Sequence, residues 1–367
     1  MSEARGKTEL AALGALFAGA LCTGSAGVLV RLSETGPVAT AFWRGCLGLP
    51  ALAIWALLES RATERSATTE RSARESPVGR ESPTGAKPRR IRTGDAALSD
   101  AGLPEGGRWL ETGSAHRARG AVMLASLRDT GFLWAGVFFA GDLALWNWAL
   151  VLTSVAAATL EASLAPLIVT FVAWVYWRER PTTGFLVATV FALAGMALIV
   201  SPKLSHGGSA ILGDALGLGT AFFFAGYLLC VARLRAVYGT GTVMFNSTLV
   251  FTLLLLPLAL SQKFFPDTAK GWAILAGCAV GAHVLGQGLI AYALAHLRPT
   301  FSSLGLLIQA LGAAVSAWLV LGERLATLQI IGALAIVGAI AMARATRSQT
   351  GATPSPGTGA SLGVIRD

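Results

Sequence analysis

The sequence is short of charged residues. Asp, Glu, Lys and Arg make up 13% of its 367 residues, whereas about 25% is usual in a soluble domain, and the mean hydropathy is +0.61. The sequence also lacks the segments of about ten alternating residues that are typical of a membrane β-barrel. These two absences favour an α-helical membrane protein, because backbone polar groups in lipid must be bonded within their own segment.

Cysteine and histidine are scarce as well. The four cysteines, Cys22, Cys46, Cys230 and Cys278, lie singly within apolar runs, and the four histidines form no H-x-x-x-H pair. We therefore expect no metal, no cofactor and no redox centre. Ser25, in the stretch CTGSAG, lacks the full G-x-S-x-G frame of a hydrolase nucleophile. The sequence therefore indicates that the protein is not an enzyme.

Long apolar runs are abundant. A run of about 20 residues matches the roughly 30 Å of hydrocarbon that a helix crosses at 1.5 Å per residue. We predict an all-α membrane protein with ten transmembrane helices, at about 11–31, 37–58, 130–151, 155–177, 182–201, 212–232, 241–261, 271–294, 300–321 and 325–344. The first run is predicted to be an uncleaved helix, since no small-x-small cleavage site followed by a soluble domain ends it.

Lysine and arginine determine the predicted orientation. An even number of spans places both termini on one side, and that side holds 23 of the 29 basic residues. Because basic loops favour the cytoplasm, we predict a multi-pass protein of the cell (inner) membrane with cytoplasmic N- and C-termini. The net charge of +9 does not indicate nucleic acid as a partner, because the basic residues flank apolar spans and do not cluster on a soluble face.

Two polar segments interrupt the apolar pattern. Residues 59–128 combine low hydrophobicity with mixed charge and repeated Ser, Gly and Pro, so we predict a disordered cytoplasmic loop. Residues 346–367 have the same character and are predicted to be a disordered cytoplasmic tail. The RESP pieces at 74 and 80 could be phosphorylation or partner motifs, although a solvated linker is favoured. The loop leaves open a function as a membrane sensor or scaffold that acts through residues 59–128.

An internal repeat divides the spans into two halves. Aligning Glu179 with Glu323 gives an offset of 144 residues, at which Arg180 also falls on Arg324. The halves are 9–201, which contains the 59–128 loop, and 212–345. Because each half has five spans, the second must enter the membrane in the opposite sense. Two inverted five-helix repeats are an architecture of secondary transporters, and the two Glu-Arg turns are predicted to be structural.

Three stretches carry a resemblance to a known family. They are FWRGCLGLP in the second span, GDLALWNWALVLTSVAAATLEASLAPLIVTFVAWVYWRERPT across the third and fourth, and LIAYALAHLRPTFSSLGLLIQALGAAVSAWLVLGERLA across the eighth and ninth. The halves resemble the two EamA domains of the drug/metabolite transporter superfamily. The resemblance covers nearly the whole chain apart from residues 59–128 and the tails, and it implies a ten-helix carrier that moves small metabolites or drugs by alternating access. The chain departs from the pattern in its long insertion.

Charged residues inside the predicted spans indicate the candidate site. Arg44, Asp142 and Glu161 are each predicted to lie roughly 9 to 14 Å below the outer surface, and exposing all three to lipid would cost roughly 8 to 10 kcal/mol. We expect them to face the bundle interior, where Arg44 would bind a carboxylate or phosphate and a carboxylate partner could couple transport to protons. Two alternatives stay open. Arg44 and a carboxylate could form a static ion pair that holds the spans together, or one of the three residues could lie nearer to water than predicted.

Polar neighbours extend this candidate set. They are Trp146, Asn147, His283, Gln287 and Gln309. His283 and Gln287 are four residues apart and so share a helix face. Each of these side chains could instead make an interhelical hydrogen bond. Pro166, one turn past Glu161, is predicted to kink the fourth span.

These features predict a secondary-active transporter that exports an amino acid or a related zwitterion, because paired opposite charges suit such a solute. Export of apolar or cationic drugs is the alternative, with Glu161, Asp142 and tryptophans as the site. The expected partners are a small-molecule substrate and the lipid bilayer, with protons as a candidate coupling ion. The sequence is compatible with a monomer or a homodimer.

Overall fold

The computed structural model describes residues 2–75, 129–152, 162–178, 181–200, 210–322 and 326–350. Within these ranges the chain is helical and contains no β-strand. Seven helices there are long and apolar enough to cross a membrane: Lys7–Leu32, Pro37–Ala62, Ile211–Arg235, Thr240–Leu260, Ala269–Leu294, Pro299–Val320 and Thr327–Ala345. Two shorter apolar helices are Ala165–Tyr176 and Thr183–Leu198. The 23-residue helix Thr130–Leu152 also contains Asp142 and Asn147, which lower its hydropathy.

We number the α-helices in chain order. The first seven are α1 (Ser2–Gly24), α2 (Ala26–Leu32), α3 (Pro37–Glu75), α4 (Thr130–Leu152), α5 (Ala165–Trp177), α6 (Thr183–Val200) and α7 (Ala210–Arg235). The others are α8 (Thr240–Leu260), α9 (Ala269–Gly277), α10 (Gly288–Leu294), α11 (Pro299–Gly305), α12 (Gln309–Leu321) and α13 (Thr327–Thr350).

Three of the predicted spans that the structure describes throughout are interrupted. The first breaks at Ser25, whose hydroxyl donates to the Cys22 carbonyl at 2.6 Å and so competes with the helical backbone. In the eighth, a π-helix (Cys278–Gln287) joins α9 to α10. In the ninth, the 3-10 turn Leu306–Ile308 joins α11 to α12. π-Helices are rare and are frequently found at functional sites.

Two helices run further than their apolar segments. The chain forms two compact units, residues 1–56 with 129–367, and residues 57–128. In the second unit the described residues continue helix α3 to Glu75. The sequence predicts a disordered loop from residue 59, so the described residues 59–75 differ from that prediction. Residues 59–75 are rich in Ala, Arg and Glu and contain no Gly or Pro, which favours helix. Similarly, α13 continues to Thr350, beyond the expected start of the tail at residue 346.

Helix boundaries recur at the 144-residue offset. Helices α5 and α12 both have 13 residues, and their first residues, Ala165 and Gln309, are 144 positions apart. Arg178 and Gly322, which follow them at the same offset, both have left-handed backbone, with φ of 54° and 68°. Pro166, which is predicted to kink the fourth span, lies in the first turn of α5, where no backbone N–H is required. Residues 153–161 of that span lie outside the described residues, so the kink stays a prediction.

The helices of the first unit pack in a few extensive contacts. Helix α4 lies along α7 and α8, α6 lies along α13, and α1 packs on the π-helix, α10 and α12. Glycines allow α1 to approach closely: a methyl group added at Gly19 would lie 2.7 Å from the Gly286 carbonyl oxygen, and one at Gly24 would lie 2.2 Å from the Gln309 carbonyl oxygen. Helix α1 therefore contacts both interrupted spans of the second half.

Two loops at one end of the bundle bind each other; we call residues 33–36 and 261–268 the interlocked loops. The Gly36 N–H donates to the Lys263 carbonyl at 2.9 Å. The Gln262 side-chain oxygen accepts from the Val38 N–H at 2.9 Å and so caps α3. The indole of Trp43 donates to the Phe264 carbonyl at 2.7 Å. These bonds hold the start of α3 against the end of α8.

Glu34 completes the interlocked loops. Its carboxylate accepts from the backbone N–H groups of Asp267 and Thr268 at 2.8 and 2.9 Å, and from the Thr268 hydroxyl. These groups precede α9, so the negative charge also lies at the N-terminus of a helix, where it is favourable. The hydrogen bonds, above all the one from the Thr268 hydroxyl, hold the pKa of Glu34 below its usual value.

Candidate functional site

Arg44 is the centre of the candidate site. It lies in α3, its side chain is only 6% exposed, and its guanidinium carbon is 5.7 Å from the centroid of the Phe139 ring in α4. Among the described residues its Nε has no hydrogen-bond partner. A buried guanidinium with an unused donor has the capacity to bind an anionic group.

Asp142 lies near this guanidinium without contacting it. The two residues interact electrostatically, and Asp142, in α4, is partly buried. Among the described ion pairs none joins the two within 4.0 Å. Arg44 and Asp142, two of the three charged residues predicted to share a layer, are therefore neighbours. They do not form the direct ion pair that the static alternative requires. Glu161 lies outside the described residues.

His283 joins the same neighbourhood from the π-helix. It is fully buried, and its Nε2 lies 2.8 Å from the Thr248 hydroxyl of α8. The imidazole is nearly parallel to the Phe139 ring, at 5.8 Å and 16°, and it interacts electrostatically with Arg44. Its Nδ1 has no partner among the described residues. The second half of the chain thus contributes a polar group beside Arg44.

Two glycines of α3 allow this arrangement. A methyl group at Gly45 would lie 2.1 Å from the Thr252 hydroxyl oxygen of α8, and one at Gly48 would lie 3.3 Å from Cδ2 of His283. The face of α3 that follows Arg44 is therefore in close contact with α8 and the π-helix. Small residues at such contacts let membrane helices approach each other.

Aromatic rings form one wall. Phe139 stacks on Tyr227 of α7 at 4.3 Å and 18°, and Phe251 of α8 contacts both Phe139 and His283 edge-on, at 5.1 and 5.3 Å. Sequence reasoning missed Phe139, Tyr227, Thr248, Phe251 and Thr252. The two threonines, four residues apart in an apolar helix, were a usable signal, whereas a phenylalanine in a span is not distinctive.

The other predicted side chains are more scattered. Trp146 faces α2, since its Cη2 would lie 3.8 Å from a methyl group at Gly27. Asn147 is buried and donates to the Leu143 carbonyl of its own helix at 2.6 Å. Gln287 is 4% exposed and Gln309 is partly buried; each has one side-chain atom, Oε1 and Nε2 respectively, without a partner among the described residues. The predicted turn residues Glu179, Arg180, Glu323 and Arg324 lie outside the described residues.

The site has the chemistry of a binding site for a polar solute. Unsatisfied buried polar atoms are uncommon, because each carries a desolvation cost of about 1–3 kcal/mol. Here Arg44 Nε, His283 Nδ1 and Thr252 Oγ1 are three such atoms within one region. Within the described ranges, no three His, Cys, Asp or Glu side chains are grouped to hold a metal ion. A solute with both hydrogen-bonding and charged groups could satisfy these atoms.

Comparisons with known proteins give one family match, and relatives that are transporters. The EamA-like transporter family matches residues 124–201 and 211–345, which is more than half of the chain. The pseudopaline exporter CntI of Pseudomonas aeruginosa is 27% identical over 210 residues, covering 57% of this chain and 73% of that protein. A riboflavin transporter of Vibrio cholerae is 31% identical over 180 residues, covering 48% of this chain and 59% of its own length.

A solved crystal structure shares the fold. It aligns with a TM-score of 0.60 over 95% of this chain and 99% of its own, at 16% sequence identity. At that identity the likeness concerns the fold alone.

Proposed function

Because the chain belongs to the EamA-like transporter family, we propose that it is a secondary-active transporter that exports an amino acid or a related zwitterion by alternating access. That it is a multi-pass membrane protein that transports small molecules, and is not an enzyme, follows from the family and the transporter relatives. The substrate class, the direction and the mechanism are the proposed part.

Two neighbouring opposite charges, the buried Arg44 and the partly buried Asp142, carry the proposal. Arg44 has an unused donor beside Asp142, and the two do not bond to each other among the described contacts. The planar guanidinium fork matches a carboxylate, and Asp142 matches an ammonium group. A zwitterion would satisfy both groups at once, whereas a solute of single charge would leave one of them unpaired in the membrane.

We further propose that the transporter has ten spans in two inverted halves, with both termini in the cytoplasm and the chain in the cell membrane. Seven long apolar helices, two short ones and α4 are available as spans. The helix boundaries that recur at an offset of 144 residues support two related halves. The substrate would then bind near the midplane between the halves, where Arg44 and Asp142 come from one half and Thr248 and His283 from the other.

Export of apolar or cationic drugs is the second candidate. The aromatic wall of Phe139, Tyr227 and Phe251 beside Asp142 favours it, because ring faces and a carboxylate both attract organic cations. The likeness to an exporter supports the outward direction in either case. Proton coupling through Asp142 or Glu161 is part of the proposal. If the protein is instead a sensor that acts through residues 59–128, deleting that segment would abolish function while substitution of Arg44 would not.

Counterflow in proteoliposomes tests the proposal. Proteoliposomes that contain the purified protein are loaded with one unlabelled amino acid at a time. Uptake of the labelled solute is then compared for wild type, Arg44→Ala and Arg44→Lys. We expect a loss of at least tenfold for Arg44→Ala, and partial activity at most for Arg44→Lys, since an ammonium lacks the fork. Arg31→Ala, which removes an exposed arginine at the end of α2, is the matched control. Full transport of every substrate by Arg44→Ala would refute the site.

A further inference from the structure

We propose that a groove between α1, α11 and α13 is a binding site for one anionic phospholipid, with an acyl chain in the groove and the phosphate at its basic end. The groove has a volume of about 620 Å³ and shares no residue with the site around Arg44. Its principal lining side chains are Leu10, Leu13, Phe17, Phe301, Ile340 and Arg344.

The body of the groove is apolar and open. Leu10, Leu13 and Phe17 are spaced three and four residues apart and so share one face of α1. Leu10 is 62% exposed. Gly14, between them, also lines the groove, and a methyl group added there would meet no atom within 4 Å. This face of α1 therefore carries space that the protein itself does not fill, at membrane depth, where the surrounding solvent is acyl chains.

Basic residues lie in the groove lining or three residues from it along the chain. Arg344 lines it in α13. Lys7, three residues before Leu10, and Arg298, three residues before Phe301, are exposed. The acidic residue among the described side chains at this end of α1 is the partly buried Glu9. Lys7, Glu9 and Arg344 take part in further polar interactions, so the phosphate oxygens would share the basic groups with them.

This combination selects the ligand. An apolar groove between membrane helices accepts an acyl chain, and basic residues at the membrane surface bind anionic head groups. Two positive groups within one turn of the groove lining, together with Arg344 in it, favour a head group with net negative charge over phosphatidylcholine, whose ammonium they would repel. Free phosphate would satisfy the basic groups and leave the groove empty. A phospholipid satisfies both ends.

Lipid retention by the purified full chain tests the proposal. The protein in detergent is titrated with dioleoylphosphatidylglycerol or dioleoylphosphatidylcholine, and bound lipid is counted by native mass spectrometry. We expect tighter binding of phosphatidylglycerol, weakened about fivefold by Arg344→Gln, which removes one basic residue. Gly14→Leu fills the groove and should remove most of the bound lipid. Gly338→Leu is the matched control, because Gly338 is also surrounded by open space and does not line the groove.

Three results would each overturn a part of the lipid-binding proposal. Equal retention by Gly14→Leu and wild type would overturn the groove as the site. Equal binding of the two lipids, unchanged by Arg344→Gln, would overturn the anionic head group. Displacement of phosphatidylglycerol by inorganic phosphate at equal concentration would assign the basic end to free phosphate instead. Gly14→Val carries the same expectation if Gly14→Leu does not fold. Arg44→Ala should retain lipid normally, so failure of this proposal and of the transport site are distinguishable.

Discussion

At the scale of single residues, the two threonines of α8 differ in a way that can be measured. Thr248 and Thr252 are both buried, 0% and 4% exposed, and lie one helical turn apart. Thr248 bonds to His283, whereas the Thr252 hydroxyl has no partner among the described residues. The same substitution at the two positions therefore separates the loss of a buried hydrogen bond from the loss of a hydroxyl alone.

We expect Thr248→Val to destabilise the protein by about 0.6–1.7 kcal/mol, the range for interhelical hydrogen bonds in membranes. Thr252→Val should be nearly neutral, because it replaces an unpaired polar atom with an apolar one of similar shape. Thermal unfolding of the purified variants in detergent measures the difference. Equal melting temperatures for the two variants would mean that the bond between Thr248 and His283 contributes nothing to stability.

The charged residues of the site were predictable from the sequence, and their neighbours were not. Arg44 and Asp142 stand out because a charge in an apolar run is costly unless it faces inward or is paired. Phe139 and Tyr227 look like any other aromatic residue in a span, and only the packing of α4 on α7 makes them a wall of the site. Their role depends on contacts between distant segments, which a single sequence does not show.

At the scale of elements, the interlocked loops join the start of α3 to the segment between α8 and α9. Their bonds connect residues more than 220 positions apart in the chain. Glu34 is one of the two acidic residues of these loops, with Asp267. The lowered pKa of Glu34 means that the folded state favours the ionised carboxylate. Such a group contributes stability above its unfolded-state pKa, and the contribution is lost as the pH falls through the folded-state pKa.

We therefore expect Glu34→Gln to melt below wild type at pH 7 and the two melting curves to converge as the pH is lowered from about 4.5. The variant retains the size and the hydrogen-bonding oxygen of the side chain while removing its charge. Melting temperatures measured from pH 7 to pH 3.5 test this. A gap between the two proteins that stays constant across the range would show that the charge of Glu34 is not the cause.

The positions of most helices followed from the apolar runs, but their interruptions did not. Hydropathy averages over about 20 residues, so it is insensitive to a break at Ser25 or to a change from α- to π-helix at Cys278. The breaks in the first and ninth spans lie where α1 packs closely on its neighbours, with Gly24 against Gln309. Tertiary contact accompanies the local geometry. The sequence around Cys278 has no proline, and its glycines, Gly277 and Gly281, disfavour helix without predicting a π-helix.

At the scale of the whole molecule, the repeat offset of 144 residues appears at two levels. A few identical residues indicate it in the sequence, and helix boundaries recur at the same offset in the structure. Thr183 and Thr327, the first residues of α6 and α13, lie at this offset. Both are exposed. If the halves are inverted in the membrane, these two equivalent threonines lie on opposite sides, with Thr183 in the cytoplasm and Thr327 outside.

Single-cysteine labelling tests this arrangement. In a variant whose four native cysteines are replaced by alanine, Thr183→Cys and Thr327→Cys are introduced separately and intact cells are treated with a membrane-impermeant maleimide. We expect Thr327→Cys to react at once and Thr183→Cys to react only after the cells are permeabilised, because five spans separate the two positions and an odd number of crossings reverses the side. Labelling of both positions from the outside, or of neither, would contradict the inverted repeat and with it a substrate site at the midplane between the halves.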